Sequence, residues 1–249
     1  MLTGLVTALR TLTVLPVPGR DAEKLSSSLP WFPLIGFLVG GSLYAVARGG
    51  AALAPLLWPE ATAVIVVLGG ALLTRGLHLD GLADCADGFW GARDKEKVLA
   101  IMKDPRVGAF GVIALVLVLL AKWVCVTRLV AGGGAPWIVA ACVISRALQV
   151  DLAVAQPYAR DGGGTAAPFV QGAGVRHLLL AILAAGLLLA GIGRGNPIYL
   201  AAFAAAWLMA RVFGAWCRRR VGGITGDLLG AGSELTETAV LLIGSLAGT

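Results

Sequence analysis

Ala61-Thr62-Ala63-Val64-Ile65-Val66-Val67-Leu68-Gly69-Gly70-Ala71-Leu72-Leu73-Thr74-Arg75-Gly76-Leu77-His78-Leu79-Asp80-Gly81-Leu82-Ala83-Asp84-Cys85-Ala86-Asp87-Gly88 passes from a run fit for lipid directly into three aspartates. The first part approaches the roughly 20 apolar residues that a helix needs to cross hydrocarbon. The aspartates follow at spacings of four and three. On a helix, positions i, i+4 and i+7 share one face. Asp80, Asp84 and Asp87 therefore fall within an arc of about 60°. Three like charges on one stripe repel, and each costs about 2.5–3.5 kcal/mol inside a bilayer on insertion scales. Such a stripe needs a compensating cation. A hard divalent ion with oxygen ligands is the simplest candidate, and Mg²⁺ usually brings a phosphate with it. Two plainer readings stand beside this one: a solvated start of a loop, or ion pairs with Arg75 and Arg93.

The rest of the chain supports a membrane setting. Of 249 residues, 58% are hydrophobic and 14% charged, with mean hydropathy +0.85. Soluble domains carry about 25% charged residues. No segment is long or polar enough to form a separate soluble domain, so 1–249 reads as one integral membrane catalytic domain. The formal charge of +6 reads as the loop bias that orients membrane proteins, and nucleic acid is not expected as a partner. Cys85, Cys125, Cys142 and Cys217 form no CxxC pair, which argues against a disulfide framework or a zinc site. Arg10 interrupts the first apolar run, and no signal peptide is expected.

Apolar runs place candidate spans at 31–48, 60–79, 107–127, 136–156, 177–194, 197–216 and 228–248. The expected fold is all-α, a polytopic bundle of about seven transmembrane helices. The segment 2–15 is short and ends at Pro16 and Pro18, so it suits an interfacial or re-entrant helix. With a cytoplasmic N-terminus, the inner loops hold Arg10, Arg20, Lys24, Arg93, Lys95, Lys97, Lys103, Arg106, Arg160, Arg176 and Arg218–Arg220. The outer loops hold Arg48 and Arg128, with Arg194 at a span end. That asymmetry favours the N-inside orientation. It also puts the aspartate stripe, Asp104 and the start of the last helix at the cytoplasmic face.

A second acidic group follows Thr225-Gly226. Asp227 and Glu234 are seven apart, and Glu237 follows three later, so a continuous helix puts them on one face. Small residues at 230–232 allow a close helix approach. The two stripes together suit a two-metal clamp on phosphate oxygens; the plainer reading is acids favouring a helix N-terminus. Between the groups lies Met102-Lys103-Asp104-Pro105-Arg106. Lys103 and Arg106 could neutralise phosphate, and Asp104 could serve as base or ligand, although an ordinary basic loop would look the same. Arg146 lies within a span, where a charge faces a polar cavity or a partner; Asp151 is the expected partner. His78 is a candidate ligand or substrate contact. Arg218–Arg220 reads as a topogenic cluster before a pyrophosphate clamp, and Gly162–Gly164 as a linker before a phosphate loop.

These residues resemble a known family. His78-Leu79-Asp80-Gly81-Leu82-Ala83-Asp84 with Ala86-Asp87-Gly88 is similar to the signature of the cobalamin synthases, the adenosylcobinamide-GDP ribazoletransferases. Met102-Lys103-Asp104 with Arg106, Gly108, Phe110 and Gly111 resembles a second signature. Ser145-Arg146, Tyr158-Ala159-Arg160, Thr225–Ala231, Glu234 and Glu237 resemble further blocks. Cys85 stands where threonine is more usual, and Arg75 where a small residue is. The resemblance implies a multi-pass enzyme of the bacterial inner membrane that requires Mg²⁺ and contacts membrane lipid. It would join adenosylcobinamide-GDP to α-ribazole or α-ribazole 5′-phosphate and release GMP, a late step of cobalamin biosynthesis. Asp80, Asp84, Asp87, Asp104 and Asp227 would then be catalytic. Asp80, Asp84, Asp87, Asp227, Glu234 and Glu237 would hold metal. Lys103, Arg106, Arg146, Arg160 and His78 would bind substrate. The general base, the number of metal ions and the oligomeric state stay open. A CDP-alcohol phosphatidyltransferase is the enzyme alternative, but its pattern has an arginine after the Asp-Gly-x-x-Ala start, where Asp84 stands here. A cation-coupled transporter is the alternative from another class; it would place acids near the midplane and often show repeated halves.

Overall fold

Apolar runs that can satisfy their backbone in lipid only as helices set the architecture of the computed structural model, which describes residues 2–53 and 58–247. Eleven α-helices follow one another, with a 3-10 turn over Leu25–Trp31 and no strand among the described residues. At the centre is α7, Pro136–Ala155, whose side chains are almost all buried. It carries Ala140, Ala141, Cys142, Ser145 and Ala147, residues small enough for other backbones to come close. Helix α2, Phe32–Ala52, uses that space. A Cβ on Gly40 would lie 2.8 Å from the Val139 Cα, and one on Gly36 would collide with the Cys142 carbonyl. On another side α11, Gly226–Ala247, meets α7 where Gly244 abuts the Trp137 ring.

Around this centre stand α6, Ala109–Ala131, α9, Val175–Gly193, and α10, Ile198–Val221. Their outer faces expose Val116, Leu117, Leu120, Leu183, Leu187, Leu208 and Val212. An apolar face this continuous belongs against lipid. Among the described residues five helices, counting the 3-10 turn with α2 as Leu25–Ala52, are each long and apolar enough to cross a membrane.

Two expected spans differ from the sequence reading. The span at 60–79 breaks. Helix α3 covers Pro59–Leu73 and α4 Leu77–Gly91, with an 87° bend between them. The cause is local: Arg75 and Gly76 are both left-handed, at φ 55° and 65°, and the Gly76 N–H donates back to the Ala71 carbonyl at 2.7 Å. Two left-handed residues end one helix and re-aim the next. The last expected span, 228–248, falls on α11, one continuous helix over Gly226–Ala247, with 248 outside the described residues; carrying Glu234 and Glu237, it is not among the helices apolar enough to cross. Among the described residues, five helices, or six if the bent pair is one span, are long and apolar enough to cross a membrane, beside the about seven expected.

The N-terminal segment forms α1, Leu2–Leu12, too short to cross a bilayer. The Thr7 hydroxyl donates to Asp21 at 3.0 Å, and the Arg10 guanidinium pairs with Asp21 at 2.9 Å. These bonds tie α1 to the following strap. Two short helices, α5 (Lys95–Ile101) and α8 (Ala167–Gln171), gather with the ends of α4, α10 and α11 at one end of the bundle.

Candidate functional site

That end of the bundle carries the aspartates because two glycines let α4 and α11 touch backbone to backbone. A Cβ on Gly81 would sit 2.5 Å from the Asp227 carbonyl oxygen and 2.9 Å from its Cα. One turn deeper, a Cβ on Gly230 would lie 3.2 Å from the His78 Cα. The contact brings Asp227 into electrostatic range of Asp80 and Asp84, with Asp87 on the same face of α4. Four carboxylates gather where one guanidinium answers them: Arg160 donates to Asp227 Oδ2 at 2.9 Å. Among the described residues none of Asp80, Asp84 and Asp87 has a cation at ion-pair distance, neither Arg75 nor Arg93. Three of the four carboxylates therefore have no basic side chain paired with them.

Its members differ in what they already hold. Asp87 is buried, and its two oxygens accept from the backbone N–H groups of Gly108 at 2.7 Å and Gly111 at 2.8 Å. Gly108 is the N-cap residue of α6, so Asp87 caps that helix from a neighbouring one. Glycine at both positions lets the carboxylate seat this closely, because a Cβ on either would lie 2.5 Å from an Asp87 oxygen and push it aside. Asp80 is exposed and Asp84 half-buried. These two, with Asp227, keep oxygens free for a ligand.

The donor set is hard oxygen, which suits Mg²⁺ and not a softer metal. Among the described residues, no three His, Cys, Asp or Glu side chains close into a ready cage. That pattern is compatible with Mg²⁺, which usually takes one or two carboxylates and completes its octahedron with water and substrate phosphate.

Glu234 and Glu237 lie elsewhere. Glu234 is seven residues beyond Asp227, about 10 Å along the helix. Lys122 of α6 reaches both, at 2.6 Å to Glu234 and 2.7 Å to Glu237. Arg146 of α7 pairs with Glu237. The expected Arg146–Asp151 pair does not form; Asp151 faces Arg211 of α10 at 3.5 Å. In the Lys122–Glu234–Glu237–Arg146 group all but the partly buried Glu237 are buried; the charges match two against two, and the group borders its own small cavity of about 40 Å³. Lys122 was not singled out from the sequence. The available signal was a lone lysine in the middle of an apolar run.

The remaining candidates sit around the aspartate end. Lys103 and Arg106 belong to the loop after α5, which runs from Met102 past Asp87 to Gly108. Arg160 also touches this loop, at the Met102 carbonyl, 3.5 Å away. Arg106 is turned back on Asp104, at 2.6 Å. Hydrogen bonds from its guanidinium and backbone N–H hold the Asp104 carboxyl down at about 2, so Asp104 is ionised at neutral pH and a poor proton acceptor. Arg220 donates to the Phe89 and Ala92 carbonyls and so caps the C-terminus of α4. His78 is buried at the inner end of the site, beside Gln149.

Comparison with known proteins gives a consistent result. A family model described as cobalamin-5-phosphate synthase matches residues 4–245. An adenosylcobinamide-GDP ribazoletransferase of Chlorobaculum parvum is 51% identical over 247 residues, covering 99% of this chain and 96% of its own. One from Chlorobaculum tepidum is 51% identical over 249 residues, with 99% and 96% covered. A more distant one, from a Roseiflexus species, is 38% identical over 243 residues, covering 94% of this chain and 86% of its own. No solved structure matches.

Proposed function

The chain belongs to the cobalamin-5-phosphate synthase family, and from that premise we propose that it is the transferase its relatives are named for. The cobinamide phosphate group passes from adenosylcobinamide-GDP to α-ribazole or its 5′-phosphate. The products are adenosylcobalamin or its 5′-phosphate, and GMP. A ribose hydroxyl oxygen bonds to the phosphorus on the cobinamide arm. The bridging P–O bond breaks, GMP leaves with that electron pair, and the hydroxyl proton passes to a nearby acceptor. This makes the protein a phosphotransferase acting at a late step of cobalamin biosynthesis.

The observation that carries this reading is the convergence of Asp80, Asp84, Asp87 and Asp227 against one arginine. Mg²⁺ held by one or two of the carboxylates of Asp80, Asp84 and Asp227 would neutralise the pyrophosphate and the leaving oxygen. Asp87 holds the start of α6 and so sets the position of the Lys103–Arg106 loop. Arg160 keeps Asp227 turned toward α4 and adds positive charge beside it. Lys103 and Arg106 offer further charge to a phosphate. We assign Glu234, Glu237 and Arg146 to holding α6, α7 and α11 together, since each is already paired.

The basic loops lie at the aspartate end, so the site faces the cytoplasm in this reading, with the N-terminus on the same side of a bacterial inner membrane. The test is GMP release by purified protein in detergent, given adenosylcobinamide-GDP and α-ribazole. Turnover should need Mg²⁺, stop with EDTA, and be lost in Asp80→Asn and Asp84→Asn. An Asn triple variant at 80, 84 and 87 with wild-type Mg²⁺-dependent turnover would refute the assignment. Turnover without a sealed vesicle excludes a pure transporter.

A further inference from the structure

Asp80 is a wall common to two clefts. One, of about 600 Å³, opens beside the α3–α4 elbow and also meets Arg75 and Val107. The other, of about 540 Å³, runs beneath α1 between α4, α7 and α11, and also meets Asp227. Two clefts that meet at one acidic group are what a transfer between two substrates requires.

The second cleft has a distinctive chemistry. Its lining includes Leu29, Phe32, Ala153, Phe169 and Leu229. Thr7, Arg10, Thr11 and Asp21 line its α1 side and Thr165 its rim, while two buried polar side chains stand among the apolar ones, His78 at 1% and Gln149 at 5% exposure. Gln149 is placed to hydrogen-bond the His78 ring, yet no bond of normal geometry forms at either ring nitrogen of His78 or at the Oε1 of Gln149. The Gln149 Nε2 makes only a long bond, 3.4 Å, to the Leu229 carbonyl. Buried polar groups are ordinarily paired, and each exception calls for an explanation. A ligand that supplies the missing partners is one. Pockets of about 300–1,000 Å³ take drug-sized molecules. A nucleoside is of that size, whereas a corrinoid macrocycle with its side arms is several times larger.

We propose that this cleft is the subsite for the heteroaromatic base of the nucleoside acceptor, with His78 and Gln149 as its specificity-determining residues. The inference rests on the ribazole-transfer reading above. A benzimidazole-type base fits the lining: it is flat, largely apolar, and once glycosylated keeps a single free ring nitrogen. Neutral imidazole has one N–H to donate and one nitrogen to accept. His78 donates to the free base nitrogen, and Gln149 Oε1 accepts from a ribose hydroxyl. The sugar then lies toward Asp80 and Asp227, where its attacking hydroxyl is needed. A purine carries additional polar edges, which the apolar side chains around His78 and Gln149 would leave unpaired.

The experiment is steady-state kinetics on the full chain in detergent with Mg²⁺. Gln149→Leu removes the acceptor, and Ala153→Phe fills the apolar end. Each should raise the KM for α-ribazole by about 10-fold or more while leaving the KM for adenosylcobinamide-GDP within about twofold, the size expected for lost pocket contacts. The unchanged second KM also reports that the variant is folded. On wild-type protein, free 5,6-dimethylbenzimidazole should compete with α-ribazole and not with adenosylcobinamide-GDP, and adenine should inhibit at least about tenfold more weakly. If the variants keep the α-ribazole KM, or shift only the other one, the subsite is wrong while the reaction stands. Inhibition by the free base that competes with adenosylcobinamide-GDP would likewise overturn it. If wild-type protein shows no transfer to α-ribazole or to its 5′-phosphate, both readings fall.

Discussion

Gly81→Ala tests whether the α4–α11 contact sets the chemistry. The added methyl would start 2.5 Å from the Asp227 carbonyl oxygen, and ordinary contact begins at 3.4 Å. The helices must therefore part by about 0.9 Å at the point where the two sets of aspartates meet. Stability should change little. Overpacking costs about 1–3 kcal/mol, and alanine returns about 1 kcal/mol of helix propensity over glycine. Activity should change much more. A misplacement near 1 Å can cost about 100-fold in rate, equivalent to about 2.7 kcal/mol of barrier. The assay is GMP release by Gly81→Ala, with Gly41→Ala and Gly186→Ala as controls, because a Cβ at either control meets nothing within 4 Å. The expected result is a loss of about 100-fold in kcat/KM with a melting temperature close to wild type, and neutral controls. Gly81→Ala with wild-type kcat/KM would refute the idea that this approach positions Asp227.

Three further outcomes follow from other parts of the structure. Lys122→Met leaves Glu234 and Glu237 with only Arg146, so it should destabilise by about 3–5 kcal/mol; adding Glu234→Leu should recover part of the loss, and an unchanged thermal midpoint in detergent would remove the cluster from the fold's support. Asp87→Ala removes the cap of α6 and should cost about 2 kcal/mol, while Asp87→Asn keeps one acceptor oxygen and should cost less; equal losses in denaturation would argue against the cap. Single cysteines at 93–97 and 218–220 should label from the cytoplasmic side and those at 130–134 from the opposite side, given the basic-residue bias; labelling of both groups from one side would refute the orientation.

Composition and periodicity by themselves established an all-helical membrane bundle, because lipid leaves the backbone no other solution. The spacing of Asp80, Asp84 and Asp87 likewise placed them on one helical face, since that depends only on local geometry. The family blocks were legible for the same reason: they are local strings. The break of 60–79 was not legible. Arg75 and Gly76 sit inside an apolar run, and their left-handed conformation shows only in the folded chain. The fate of the second acidic group was also beyond the sequence. Asp227, Glu234 and Glu237 share a helix face, so periodicity treats them alike. What separates them is what stands opposite: α4 with its aspartates beside Asp227, and Lys122 and Arg146 beside the two glutamates. The orphaned pair His78 and Gln149 is tertiary in the same sense. One-dimensional spacing fixes which side chains share a face, but charge compensation and cavity lining depend on partners far away in the chain, and only packing decides which partners those are.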